Sequence, residues 1–468
     1  MKLPGAVIDG ASRDGVDHIE VTNPANGQSV GILRAATEAD ALAAVAAAKS
    51  AFPAWAARQP ADRAAAVNHC ADIIEAHAEE LARLLTLEQG KPLNGMGSRF
   101  ELGGAAAWTR HTASLSFPVE TVQDDQQAHI AIHRKPLGVV LSITPWNWPI
   151  MIAIWHVMPA LLAGNTVVLK PSPYTPLSSV RLVQLLQEAL PPGVLNLVAG
   201  NNRLGPVLTS HADVAKICFT GSTRTGQAVM ASAAPTLKRL TLELGGNDAG
   251  IVLPDCDPAA IAEGLFWGAL INNGQTCAAL KRLYVHDNIY QKVCDALVAF
   301  AAGVKTGDGL AEDSMLGPIQ NNMQFEKVSR LVEEARGGGA RVLCGGVPSE
   351  GSGFFYPVTF VADCESGMAL VDDEQFGPAL PIIRYTSVDD ALAQANGLDV
   401  GLGGSIWSSD TARARDLALQ LECGTAWVNK HGAIRPDTPF GGVKASGFGV
   451  EFGQHGLEEF ASLQVLHD

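Results

Sequence analysis

Within LINNGQTCAALKR, positions 270–282, one thiol sits among small and polar residues where a core would carry Leu, Ile or Val. Cys277 lies shortly after Gly274 and four residues before Lys281. Such a cysteine is either buried filler or a nucleophile, which reacts as the thiolate. TLELGGNDAG puts Glu243 at a strand end before two glycines, as a general base or a turn cap. TPWNWP holds Asn147 between two tryptophans, where its amide can donate to an oxyanion or simply close a turn. FTGSTRTG, from Phe219 to Gly226, follows a strand and opens a helix. That junction offers free N–H groups and a positive dipole end to a phosphate, or is an ordinary βα turn. GGVKASG lacks the spacing of a phosphate-binding P-loop. The 12 histidines form no HxH or HExxH and read as surface or core residues, so no metal is expected.

These groups need a large scaffold. A chain of 468 residues exceeds one hydrophobic core and implies two or three domains. With 47% hydrophobic and 17% charged residues it is a folded globular protein. A net charge of −15 argues against nucleic acid or anionic membrane as partners. No apolar run is long enough to span a bilayer, and MKLPGAVIDG lacks the core of a signal peptide. Eight scattered cysteines without a CxxC pair suit a reduced, cytoplasmic protein.

Thr37 opens a capping box with Asp40, predicting an Ala-rich helix that stops near Pro53. A longer helix is predicted from about Ala61 to Glu88, stopped by Gly90 and Pro92. From 137 onward GVVLSI, TVVLK, VLNLVA, KICFT, RLTLEL and AGIVL are short strands, with helix-like segments at 176–190 and 225–234 between the earlier ones. That rhythm predicts βαβ units in a parallel, doubly wound sheet. The polar, alternating stretch 117–135 reads as a projecting β-ribbon turning at Asp124–Asp125. A second α/β region, 246–445, carries RLYVH, PALPIIRY, GGSIWS and TAWVN as strands.

PWNWP, KPSPYTP, FTGSTRTG, LELGGN, GQTCAALKRLYV, EQFGP and PFGGVKASGFG follow in that order over about 300 residues, with LEQGKP ahead of them. In this set the chain resembles the NAD(P)-dependent aldehyde dehydrogenase superfamily over essentially its whole length. The resemblance implies an α/β fold of three parts. A Rossmann-like dinucleotide-binding domain takes 1–116 and 136–245, and a catalytic domain takes 246–445. A small oligomerisation element takes 117–135 and 446–468, making the partner a second copy in a homodimer or homotetramer.

Carried onto this sequence, the resemblance makes Cys277 the nucleophile that adds to an aldehyde. Asn147 and the Cys277 backbone N–H would hold the oxyanion, and Glu243 would activate the water that hydrolyses the thioester. Glu451, in GVEFG, would assist a proton relay, and Lys444 would shape the site from the far side. For NAD or NADP, Lys170 would reach the adenosine ribose, with Trp146, Gly221 and Ser222 along the pyrophosphate. Glu374, Phe376 and Gln324 would hold the nicotinamide ribose and ring. Many NAD-preferring members carry Glu at the fourth position of the KPS motif; Pro173 stands there, so use of NADP is expected.

The implied pocket is apolar: Trp148 and Trp155 on one helix face, Phe440 and Ile434 opposite, Trp108 at the entry, Thr276 and Ala278 beside the thiol. An uncharged aliphatic or aromatic aldehyde is expected, with Arg435 the residue that would favour a semialdehyde instead. Glu243 argues against a coenzyme-A-acylating relative, and Cys277 with Glu243 against a catalytically idle dinucleotide-binding protein. Lys281 and Arg282 are expected to serve the turn into RLYVH, without activating the thiol.

Overall fold

The computed structural model describes all 468 residues. Helix α1 (Glu38–Ala56) begins at the expected capping box: Thr37 Oγ1 accepts from the Asp40 N–H at 3.2 Å, and the Asp40 carboxylate accepts from the Thr37 N–H at 2.9 Å. Pro53 does not end it. The carbonyl that loses its partner there belongs to exposed Lys49, where water can replace it. The last turn is anchored by buried Trp55, whose Nε1 donates to the Leu161 carbonyl at 3.0 Å. The single helix expected over 61–88 is two, α2 (Pro60–Ala76) and α3 (Ala78–Gln89), parted by non-helical His77 at φ −109°. Apolar spacing persists across the break, which hides it from the sequence. Gly90, at φ 95°, caps α3 as expected. Helix α4 (Ser98–Ala113) completes this layer.

The ribbon strands β1 (Glu120–Asp124) and β2 (His129–Pro136) pair antiparallel, and the C-terminal strand β14 (Ala461–His467) lies along β2. His129 and His133 share an HxxxH spacing, but along a strand such residues stand about 13 Å apart, too far to share an ion.

The first large sheet is built on β3 (Val139–Ile143), β4 (Thr166–Lys170), β5 (Leu195–Val198), β6 (Val214–Thr220) and β7 (Arg239–Glu243). They are mutually parallel in the order β7-β6-β3-β4-β5, so the winding reverses between β3 and β6. Helices α5 (Pro149–Leu162), α6 (Leu177–Leu186) and α7 (Thr223–Ala233) connect them. The register places Lys170 opposite Ile143, Ile143 opposite Phe219 and Thr220 opposite Glu243. One carboxyl edge therefore presents the loops at Trp146, Gly221 and Glu243 side by side, where such sheets bind ligands.

Past Glu243 the chain crosses two glycines and enters β8 (Asp248–Val252), the first strand of a second, mostly parallel sheet. Helix α8 (Pro258–Leu270) leads to β9 (Leu280–His286); β10 (Thr359–Cys364), β11 (Ala379–Tyr385), β12 (Gly403–Trp407) and β13 (Thr425–Val428) follow in parallel, and Arg341–Cys344 adds an antiparallel edge strand beside β10. Helix α9 (Asn322–Gly337) packs against it. Each sheet keeps its own apolar core, and a small aromatic cluster lies between them. No helix is long and apolar enough to cross a membrane.

Candidate active site

The segment between α8 and β9 makes a left-handed run: Asn272, Asn273 and Gly274 have φ of 51°, 57° and 74°. Asparagine and glycine tolerate that conformation best. A Cβ on Gly274 would stand 2.3 Å from the Gly377 carbonyl oxygen, so this loop and the one after Phe376 touch backbone to backbone. The run delivers Cys277 half-buried against the loop of Asn147. Asn147 Nδ2 donates to the Gln275 carbonyl at 2.9 Å, Asn272 Nδ2 to the Asn147 carbonyl at 2.9 Å, and Trp148 Nε1 to Thr276 Oγ1 at 3.0 Å. From beneath, fully buried Lys91 donates to the same Asn147 carbonyl at 2.7 Å and lies 3.6 Å from the centre of the Trp148 ring. Glu101 pairs with Lys91 at 2.5 Å, and its other oxygen accepts the Ile150 and Met151 N–H groups that open α5. The Cys277 loop and the Asn147 loop are thus one braced unit.

Glu243 ends β7, buried at the site, and its Oε1 has no hydrogen-bond partner. Burial, with the charges of Glu451 and Asp248, pushes its carboxyl well above the usual range. Burial and then the Glu243 charge push the thiol up as well, opposed by Lys281. Glu451 is fixed by a backbone bridge to Phe440, N–H to carbonyl at 2.7 and 2.9 Å. Its Oε1 meets His156 Nε2 at 2.9 Å, and His156 continues to Thr220 Oγ1 at 3.2 Å and Ser142 Oγ at 2.9 Å. His156 was readable only as a core histidine, yet a titratable ring in the otherwise apolar PIMIAIWHVMPALL was its signal. Lys281 corrects the expectation outright. It is no turn residue but the second residue of β9, buried, its ammonium 2.7 Å from Glu374.

The expected pocket residues come together. Trp148, Trp155, Ala278 and Phe440 form one cluster with Trp427 and Phe452, and Trp108, Ile434 and Cys277 pack against it. Trp155 meets Phe452 at 4.7 Å and Trp108 at 6.0 Å between ring centres. The sequence left Trp427 and Phe452 unremarked, because their strand and loop positions carry no local signal. Arg435 does not join this cluster; it is exposed and paired through Nε and Nη2 with Asp437 at 2.8 and 2.6 Å. Lys444 also turns away, to the Asn396 and Leu398 carbonyls and the Glu422 carboxylate.

Along the carboxyl edge of the first sheet the residues fit a dinucleotide. Ser222 caps α7, its Oγ accepting the Thr225 N–H at 3.4 Å, and the N–H groups of Thr223 and Arg224 have no partner within the helix. A Cβ at Gly221 would strike the Phe219 ring at 2.7 Å, which keeps that approach bare. Lys170 ends β4, its ammonium pushed down to about 8 by burial. Trp146 and Phe376 meet edge-to-face at 5.4 Å. Gln324 Nε2 is committed to the Gln375 and Phe376 carbonyls at 2.5 and 3.1 Å, so it holds the loop that carries Glu374 and Phe376.

A family model for the aldehyde dehydrogenase family matches residues 11–466. Phenylacetaldehyde dehydrogenase of Pseudomonas fluorescens is 38% identical over 96% of this chain and 92% of its own. A solved structure of betaine aldehyde dehydrogenase from Staphylococcus aureus in complex with NAD+ superposes with a TM-score of 0.94 at 31% identity, covering 99% of this chain and 94% of that one. An E. coli NADP-dependent enzyme superposes with a TM-score of 0.96 at 34% identity, covering 100% and 98%.

Proposed function

Because the chain belongs to the aldehyde dehydrogenase family, we propose that it oxidises an uncharged aliphatic or aromatic aldehyde to the carboxylic acid, with Cys277 as nucleophile and NAD or NADP as oxidant. The observation that carries this reading is Cys277 packed against an aromatic cluster, on a loop bonded to Asn147 and with buried Glu243 bearing on its thiol. The Cys277 thiolate adds to the carbonyl carbon, forming a C–S bond and an oxyanion. Asn147 and the Cys277 backbone N–H stabilise that charge, each donor contributing about 3 kcal/mol. The bracing of Asn147 by Gln275, Asn272 and Lys91 keeps its reorientation small.

Lys170, Trp146, Gly221, Ser222, Glu374 and Phe376 would hold the dinucleotide, with Gln324 shaping the Glu374–Phe376 loop. The chemistry supplied by that group when bound is hydride acceptance from the carbon on Cys277. Glu243 then takes a proton from water, which attacks the thioester and releases the acid. Glu451, bonded to His156, bears on Glu243 and offers an outlet for that proton.

The pocket supports an uncharged substrate: its walls are Trp, Phe, Ile and Ala, and Arg435 is spent on Asp437. Pro173 supports use of NADP beside NAD, since it presents no carboxylate to repel a 2′-phosphate. In the ribbon, β14 exposes Leu463, Val465 and Leu466 and the β1 side exposes Val119 and Val122, an apolar surface that suits a second copy. A panel of hexanal, benzaldehyde, phenylacetaldehyde, betaine aldehyde and succinate semialdehyde, assayed with both dinucleotides, tests the reading. The highest kcat/KM should fall on an uncharged aldehyde, with measurable NADP turnover. A clear preference for succinate semialdehyde or betaine aldehyde would overturn the substrate class.

A further inference from the structure

Lys281 was expected to be scaffold, yet it is 2% exposed and points into the site. Its ammonium pairs with Glu374 Oε1 at 2.7 Å, donates to the Gly246 carbonyl at 3.2 Å and donates to the Cys277 carbonyl. It also lies 5.7 Å from the centre of the Phe376 ring. A buried ammonium is costly unless it is paired and hydrogen-bonded. Here every partner belongs to the site: the nucleophile loop, the β7–β8 crossing and the loop of Glu374. Arg282, one residue on, points the opposite way, as strand alternation requires, and donates to the Asn247, Gln394 and Ala395 carbonyls at 2.8, 3.1 and 2.9 Å.

Resting on the reading of Cys277 as nucleophile, we propose that Lys281 is a positioning residue that locks the Cys277 loop to Glu374 and sets the charge balance of the thiol. Facing Cys277 are Glu243 from β7, Asp248 from β8 and Lys281 from β9. Two of those charges oppose the thiolate and one supports it. Glu451 in turn bears on Glu243, and Asp248 faces His431 Nε2 at 3.5 Å. Glu374 holds Lys281 back by neutralising part of its charge. When Glu374 engages another group, that charge turns toward Cys277 and Glu243. The carboxylate on the cofactor side is thereby coupled to the nucleophile through a single side chain.

Alkylation of Cys277 by iodoacetamide, followed by mass spectrometry from pH 6 to 10, reads this in the full-length protein without aldehyde or dinucleotide. In Lys281→Gln the midpoint should rise by about one unit, making labelling about tenfold slower below it. Lys281→Arg should restore the parent profile. Glu374→Gln should shift the midpoint the other way, downward. A folded Lys281→Gln whose profile superimposes on the parent overturns the proposal. So does a Glu374→Gln profile that does not move down, an arm that decides the matter should Lys281→Gln fail to fold. Labelling confined to other cysteines overturns both this proposal and the assignment of the nucleophile. Shifts as expected in a protein that oxidises no aldehyde would support the Lys281 coupling and sink only the proposed reaction.

Discussion

At the scale of residues, the site disfavours the charged forms of its reactive groups. Burial pushes both Glu243 and Cys277 up, and each carboxylate nearby adds to the effect. Activity should therefore climb as pH rises above the ordinary carboxylate range. Glu451 contributes a like charge, so Glu451→Gln should let Glu243 ionise at lower pH. The acid limb of kcat should shift downward in a pH series; a shift upward would contradict that charge relation. Cys277, Glu243 and Asn147 stood out in the sequence as candidates because each lies in a short motif, and only the ordered set of motifs joined them in one reaction. His156 and Lys281 did not. Their meaning depends on Glu451 and Glu374, far away in the chain, and locally one looks like core and the other like a turn.

Elements hold these groups through two devices. The left-handed run at Asn272–Gly274 brings two loops into backbone contact, and Gly274→Ala would force a Cβ to within 2.3 Å of the Gly377 oxygen. That variant should lose at least about 1 kcal/mol of stability and more than about tenfold in kcat, as the Cys277 and Glu374 loops part. Thermal unfolding and steady-state kinetics on one preparation check both; unchanged kcat would show that the contact is incidental. The second device is the buried Lys91–Glu101 pair under Asn147. Lys91→Met leaves a buried carboxylate unpaired and should cost about 3–5 kcal/mol in urea unfolding. A loss under about 1 kcal/mol would mean that the pair is not needed to hold the loop. The strand rhythm from 137 was legible because buried parallel strands read as apolar runs. The passage of α1 through Pro53 and the break at His77 were not, since both depend on how the helix ends pack.

The whole molecule places the candidate site where its two α/β halves meet, at the winding reversal of the first sheet. Both the doubly wound sheet and the projecting ribbon follow from the sequence pattern, but the meeting of the two halves does not, because no periodicity reports it. The exposed apolar residues of β14 make the ribbon the expected assembly surface. Leu463→Arg with Val465→Arg should shift the protein to a monomer in light scattering; an unchanged mass would place the interface elsewhere. The central claim is that an acyl group passes through Cys277 and leaves by way of Glu243. Its most direct test mixes Glu243→Gln with NAD+ and phenylacetaldehyde, quenches in acid and weighs the peptides. The account predicts about one equivalent of reduced dinucleotide and a phenylacetyl thioester on Cys277 in matching amount. Reduced dinucleotide with no acyl group on Cys277, or with the acyl group on another residue, would contradict it.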